Sequence, residues 1–380
     1  MTQTLLRLGL VGGGPGSFIG SVHRMAACLD ARFTLVAGAF SRALEKSRTQ
    51  AMRWGLPPER SYDSIDAMLA GEHGREDAIQ AVAIATPNDS HFAIARAALE
   101  AGLPVICDKP MTATLSQAEA LAAIVTRSEQ PFALTYAYAG YAMIREARAR
   151  IAGGMIGQVR KIMVDYSQGW LADPIEHENI QASWRTNPDH AGAGGAIGDI
   201  GVHAFQLAEY VSGLQATELV ADLPRVVTGR RLDDDCNILL RFAGRVPCVL
   251  TASQIAAGER NGLRLRIYGE RGGLEWCHDA PGELIMRWPD ARAEILYSGG
   301  SGLHPSTQAA TRLPSGHPEG FIEAFATLYA DFADAIAGAE DKLGGLLPGI
   351  ADGLRSIRFI DLAVRSNGAR AWLPFPGSTK

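Results

Sequence analysis

The first 135 residues alternate between short apolar runs and amphipathic stretches, and that alternation leaves few folds open. LLRLGLV (5–11), FTLVAGAF (33–40), IQAVAIAT (79–86), PVICDKP (104–110) and PFALTY (131–136) read as strands. Between them, IGSVHRMAACLD, SRALEKSRTQAMRWG, SHFAIARAALEAG and SQAEALAAIVTRS carry apolar residues at helical spacing. Strands apolar along nearly their whole length are covered on both faces, which calls for a parallel sheet with helical crossovers. Right-handed crossovers then give a doubly wound sheet. Ser41 is expected to cap the second helix, and Gly102 to end the third.

After residue 136 the rhythm changes. VRKIMVDYSQGW, TELVADLPRVV, DDCNILLRFAG, PCVLTASQIAA, LRLRIYGE, GGLEWCH, ELIMRW and AEILYSG are strand-like and often alternate with polar positions. AGRV and GERGG read as hairpin turns. Helical stretches precede this region (GYAMIREARARIAGG) and follow it (EGFIEAFATLYADFADAIAG and GIADGLRSIRFIDLAVRSNG). The expectation is an α/β domain over 1–135 and an α+β domain over 136–380, built on a large, mostly antiparallel open sheet. The C-terminal helices either stay with the second domain or pack back on the first. A sheet with one open apolar face needs covering, which predicts a homo-oligomer.

Composition excludes several classes. The 380 residues suit two domains, and 47% hydrophobic with 20% charged residues describes a packed chain. A formal net charge of -5 and no long basic run argue against nucleic acid. Cys28, Cys107, Cys236, Cys248 and Cys277 form no metal or redox spacing, which predicts a reducing, cytoplasmic setting. MTQTLLRLGLVGGG is too short and too early for a leader, and no apolar run approaches the ~18 residues of a membrane span. No metal is expected, because Asp199 and His203 lack a third ligand at a recognisable spacing.

The first strand runs into GLVGGGPGSFIG, with six glycines. The dinucleotide fingerprint G-x-G-x-x-G fits it only in parts: Gly12-x-Gly14 opens it, and Ser17 stands at the third position. If Pro15, Gly16 and Ser17 lengthen the loop, Gly12 and Gly14 turn the backbone under a pyrophosphate and Gly20 makes the close helix contact. The N–H groups of Gly16, Ser17, Phe18 and Ile19, at the helix start, and the Ser17 hydroxyl would face the phosphates. The adenosine ribose is read near the end of the second strand, where this chain has Ala39-Phe40-Ser41-Arg42 and no carboxylate before Glu45. Ser41 and Arg42 either hold a 2′-phosphate, favouring NADP over NAD, or serve as cap and solvated first-turn residue.

Two further segments complete the pattern. ATPNDSHFAIARAALEAGLPVICDKPMT (85–112) joins a strand end, a helix and Asp-Lys-Pro. GAGGAIGDIGVHAFQLAEYVSG (192–213) places Asp199 and His203 at i and i+4, on one face of a helical start. Together these resemble the Gfo/Idh/MocA family of nicotinamide-dependent sugar and polyol oxidoreductases. That family carries T-P-x-x-x-H, E-K-P and G-G-x-x-x-D-x-G-x-H in this order. Here Asp108 stands for the glutamate of E-K-P, and about three additional residues separate Gly12-x-Gly14 from Ile19-Gly20-x-x-His23. TYAYAGYAMIREAR, QASWRTNP and LPSGHPEGFIEAF resemble a branch acting on pyranosides, anhydrosugars or inositols.

The resemblance implies a Rossmann first domain, a dimer or tetramer, and Lys109, Asp199 and His203 as the catalytic group. It also implies that Thr86, Pro87, Asn88 and His91 line the nicotinamide side, beside Asp108 and Lys109. Oxidising a secondary alcohol removes a hydride and a proton, so the protein must supply a base and positive charge for the developing alkoxide. His203 suits proton exchange near neutrality, Lys109 at a strand's carboxyl edge suits polarising the reacting oxygen, and Asp199 suits orienting the imidazole or accepting a substrate hydroxyl. Tyr136, Tyr138, Tyr141, Trp170, Trp184 and Arg185 either contact the sugar or pack the core. His317 either faces the site or serves a loop. The same fold also hosts lyases and glycosidases that hold NAD tightly through a redox-neutral cycle, which stands as the alternative activity.

Overall fold

The structure, a computed structural model, describes residues 5–339 and 344–376; residues 1–4, part of the stretch read above for a leader, lie outside it. The chain divides into two compact units. One comprises Met1–Gly140 with Phe321–Leu354, the other Tyr141–Gly320 with Arg355–Lys380.

The first unit runs β1 (Leu6–Gly12), α1 (Phe18–Leu29), β2 (Phe33–Ala39), α2 (Leu44–Arg53), α3 (Ile65–Glu72), β3 (Ala81–Ala85), α4 (Asn88–Glu100), β4 (Val105–Cys107), α5 (Leu115–Ser128) and β5 (Phe132–Leu134). Its five strands pair in parallel in the order β2-β1-β3-β4-β5. Every side chain of β3 and β4 is buried, as continuous apolar strands require. The strand order reverses at β1, so the carboxyl ends of β1 and β3 flank the crevice where ligands of such sheets bind. The helix Phe321–Ile336 packs on α1, and its Tyr329 and Phe332 ring Phe33.

Two local expectations need correction. Ser41 does not cap α2: the helix starts later, at Leu44, with Ala43 at the cap position and no side-chain cap bond. The Ser41 hydroxyl instead accepts the Ala43 N–H at 3.2 Å, a local turn that competes with the helix. The alternation of the first 135 residues also passes over α3. This short helix is capped by Ser64 and ends in buried Glu72, which accepts from Arg60 Nε and from the Tyr62 hydroxyl, each at 3.0 Å. Its ion pair with Arg60, twelve residues back, is a contact that periodicity does not register. Gly102 lies just past the end of α4, at φ +75°.

The second unit holds α6 (Ala142–Ala152), β6 (Val159–Ser167), α7 (Ile180–Arg185), α8 (Pro188–Ala191) and α9 (Val202–Ser212), followed by β7 (Ala216–Asp222), β8 (Asp235–Phe242), β9 (Val246–Ser253), β10 (Gly262–Gly269), β11 (Gly273–Cys277), β12 (Glu283–Arg287), β13 (Glu294–Tyr297) and β14 (Leu373–Pro374). Nine strands form one sheet, in the order β13-β12-β11-β10-β6-β9-β8-β7-β14. All neighbours pair antiparallel except β6 with β9. Helix α9 packs across β6, β9 and β10. Along β8 the buried residues Cys236, Ile238, Leu240 and Phe242 alternate with less buried ones, the signature of a sheet covered on one face. Among the described residues no helix is long and apolar enough to cross a membrane.

Candidate active site

In the first unit, backbone builds the cradle. Gly12 stands at φ +96°, and a Cβ there would lie 2.3 Å from the Ala85 carbonyl oxygen. Gly13 stands at φ +78°, and a Cβ on Gly20 would fall 2.1 Å from its Cα. A Cβ on Gly14 would press on the Phe40 carbonyl at 2.6 Å. These positions admit no side chain, so α1 starts hard against the end of β1. The inserted residues form their own turn: Ser17 N–H donates to the Gly14 carbonyl at 3.0 Å, across Pro15 and a Gly16 at φ +83°. Proline second and a positive-φ glycine third is the pattern of a type II turn. Ser17 then caps α1, its hydroxyl accepting Gly20 N–H at 3.2 Å. Pro15, Gly16 and Phe18 are exposed. A glycine floor leading into a helix N-terminus is a surface on which a pyrophosphate fits.

The loops after β3 and β4 are tied together by His91. This wholly buried ring has Nε2 2.8 Å from the Thr86 carbonyl and Nδ1 2.9 Å from the Pro110 carbonyl. With both nitrogens on backbone oxygens, His91 acts through the segments it joins: Thr86-Pro87-Asn88 on one side and Lys109-Pro110 on the other. Asn88 is buried at the start of α4, and Thr86 accepts from the Ser90 hydroxyl at 2.7 Å. Asp108 receives the Thr135 hydroxyl at 2.7 Å, and Lys109 is half-buried. On α1, His23 has Nδ1 2.7 Å from the Tyr329 hydroxyl, and burial drives its pKa down to about 4.

In the second unit, side chains from distant stretches build the site. Asp199 sits in a π-helical turn (Ile197–Gly201) that runs directly into α9, where His203 is buried with its ring 6.3 Å from that of Tyr166. The start of this turn is held from outside. The carboxylate of Asp233 accepts the N–H groups of Gly195 at 2.7 Å and Ile197 at 2.8 Å, doing the work of an N-cap from 38 and 36 residues away. Burial raises the Asp233 pKa to about 6 despite those two bonds. Oδ2 of Asp199 accepts from Arg185 Nε at 3.2 Å and from Gln254 Nε2 at 2.8 Å. The Arg185 guanidinium lies 4.1 Å from the Trp184 ring centre and 6.0 Å from that of Trp170, and also donates to Gln181 Oε1 at 2.6 Å. Trp170 donates to Gln168 Oε1 at 3.0 Å, and Gln168 and Tyr166 both reach Asn261 Oδ1, at 2.7 and 2.6 Å.

The structure thus joins Trp170, Trp184, Arg185 and Asp199 in one network. Tyr136, Tyr138 and Tyr141 are buried, with Tyr141's hydroxyl 3.1 Å from His278 Nε2. His317 lies on an exposed turn with Nδ1 3.1 Å from the Pro314 carbonyl, a loop contact. Sequence reading missed Gln254, Asp233, Gln168, Asn261 and His278. None sits in a motif; each is a polar residue near a strand end, and only the sheet order makes neighbours of them.

A parallel sheet with a glycine turn at its switch point defines a dinucleotide-binding protein. Residues 6–136 match the oxidoreductase family with an NAD-binding Rossmann fold, and residues 144–275 match the GFO/IDH/MocA C-terminal domain. An uncharacterised oxidoreductase of Bacillus subtilis is 34% identical, over 97% of each chain. Levoglucosan dehydrogenase of Pseudarthrobacter phenanthrenivorans is 28% identical, over 98% of each. The crystal structure of an inositol dehydrogenase homologue from Azotobacter vinelandii, complexed with NADH and myo-inositol, superposes with a TM-score of 0.90 at 34% identity, covering 98% of both chains. The chain belongs to the Gfo/Idh/MocA family of NAD-binding oxidoreductases.

Proposed function

We propose that this protein is an NAD(P)-dependent dehydrogenase that moves a hydride between nicotinamide and a secondary alcohol or ketone of a cyclic sugar, sugar derivative or inositol. The observation that carries the reading is the pairing of a braced carboxylate, Asp199, with a buried imidazole, His203, four residues on. Levoglucosan dehydrogenase and the myo-inositol-bound homologue support the substrate class. The same homologue's NADH supports NAD, whereas Ser41 and Arg42, with no carboxylate at the end of β2, support NADP.

Bound nicotinamide supplies the hydride acceptor. Gly12, Gly14 and the N-terminus of α1 hold the pyrophosphate, with Ser41 and Arg42 toward the ribose. The loops carrying Thr86, Asn88 and Asp108, which His91 ties together, hold the nicotinamide end. Lys109 donates to the reacting oxygen and stabilises the alkoxide as it develops. His203 takes the hydroxyl proton and returns it in the reverse direction. Asp199, braced by Arg185 and Gln254, favours the imidazolium that forms. Trp170 and Trp184 offer apolar faces to the sugar. We also propose a homo-oligomer formed over the open face of the nine-stranded sheet, where Leu239 is exposed.

The test is absorbance of reduced nicotinamide with each cofactor against a panel of myo-inositol, levoglucosan and pyranosides. Turnover on at least one is expected. Lys109→Ala and His203→Ala are each expected to lower kcat roughly 10²–10⁴-fold. A Lys109→Ala protein with full turnover would sink the mechanism.

A further inference from the structure

Gln254 carries no motif, yet its surroundings hold it firmly in one place. It directly follows β9 and is 2% exposed. Its own N–H donates to the Asp234 carbonyl at 2.9 Å, and its carbonyl accepts from Leu171 N–H at 3.1 Å. The backbone is therefore pinned on both sides, and the side chain starts from a fixed point. From there its amide nitrogen reaches Asp199 Oδ2 at 2.8 Å.

The second donor to the same oxygen, Arg185 Nε at 3.2 Å, arrives from α7 with its guanidinium against Trp184. Two donors from separate segments on one carboxylate oxygen fix both the rotamer and the plane of the carboxylate. They differ in kind. Arg185 contributes charge but is only partly buried, at the last residue of α7 with its planar head against Trp184. Gln254 is neutral and rigidly placed, so it orients Asp199 without cancelling its charge. Asp199 is itself built into the turn that Asp233 anchors.

We infer that Gln254 is a positioning residue whose side-chain amide, on the end of β9, holds the Asp199 carboxylate in its working orientation toward the chemistry assigned to His203. The inference rests on the dehydrogenase reading given above, and it goes beyond it by naming a residue outside every motif of the site. An amide is the group the position calls for. A carboxylate would repel Asp199, a thioether or alkyl group would leave Oδ2 short of a donor, and a lysine would bury a cation beside Arg185.

Two variants test it. Gln254→Met keeps length and removes the donor. Its expected result is a fall in kcat of roughly tenfold, an unchanged KM for the cofactor, and an acidic limb of the kcat/KM profile displaced to lower pH, because a misdirected Asp199 no longer favours the His203 imidazolium. Gln254→Glu keeps shape, and the two carboxylates then share a proton. Its expected result is activity close to that of the parent at low pH, where the introduced carboxylic acid still donates, and a new alkaline decline where the shared proton leaves. A merely structural glutamine would instead lower activity equally at all pH values, in step with a lower melting temperature, and that result would overturn the inference. So would a Gln254→Met enzyme with the parent's kcat and profile.

Failure of the functional reading shows separately, as a wild-type protein that reduces neither cofactor with any cyclic polyol. In that event a crystal structure of Gln254→Met decides: Asp199 swung to another rotamer supports the positioning role, and Asp199 unmoved against Arg185 refutes it.

Discussion

The two units build their candidate sites from different materials. The glycine cradle of the first is contiguous in sequence, made of backbone, and defined by what is missing: Gly12, Gly14 and Gly20 each occupy a place where a Cβ has no room. The Asp199–His203 turn of the second is made of side chains, and four segments assemble it. Asp233 anchors it, Arg185 and Gln254 brace it, and Tyr166 packs against its histidine ring. A backbone site is readable because steric exclusion writes itself as glycine at fixed spacing. A side-chain site shows only its central residues, since the braces are ordinary polar residues placed by the fold.

The contrast can be broken most sharply at Gly20. Gly20→Val drives side-chain carbon into Gly13, so either the start of α1 or the end of β1 must move. Cofactor affinity is expected to fall at least 100-fold by fluorescence titration, with a stability loss of about 1–3 kcal/mol or more. Intact amide protection of α9 by hydrogen exchange would show that the Asp199–His203 turn does not depend on the glycine cradle. Protection lost equally in α9 and α1 would erase the distinction.

Acid should then pull the two regions in opposite directions. His23, neutral in the fold with a pKa near 4, costs stability as pH falls from 6.5 toward 4, because only the unfolded chain takes up the proton in that window. The full effect is on the order of 3 kcal/mol. His23→Leu is expected to flatten this slope in denaturant melts from pH 7 to pH 4, and an unchanged slope would rule His23 out as its source.

Asp233 has the reverse sign. Its pKa near 6 lies above the ordinary 3.8, so the folded protein binds the proton more tightly, and acidification between about 6 and 4 favours the fold. That pKa already includes the bonds from Gly195 and Ile197, so protonation favours the fold while weakening the anchor on those two N–H groups. Asp233→Asn should remove the pH dependence of exchange in the Gly195–Gly201 turn over that window. It should also loosen the turn at pH 7, because a carboxamide offers one acceptor oxygen to two N–H groups. A variant turn as protected as the parent's at pH 7 would show that the anchor is dispensable.

Much of the architecture was legible beforehand, for reasons that can be named. The five parallel strands betrayed themselves by lacking alternation, and β8 and β10 by having it. α3 was not legible, since its stability comes from capping by Ser64 and from Glu72 meeting Arg60, which periodicity does not register. The start of α2 was misread because Ser41 satisfies a local turn as readily as a helix.

The sequence alone determined the alternation of the main strands and helices, the glycine turn with its inserted Pro-Gly, and the presence of Lys109, Asp199 and His203 at the ends of particular elements. Those follow from local rules: periodicity, steric room and capping act over a few residues. Only the tertiary structure decided that His91 clamps the loops of Thr86 and Pro110, that Asp233 anchors a turn some 36 residues upstream, and that Gln254 reaches Asp199 across 55 residues of chain. A hydrogen bond needs donor and acceptor within about 3 Å, and only the order in which strands pair brings such distant residues that close.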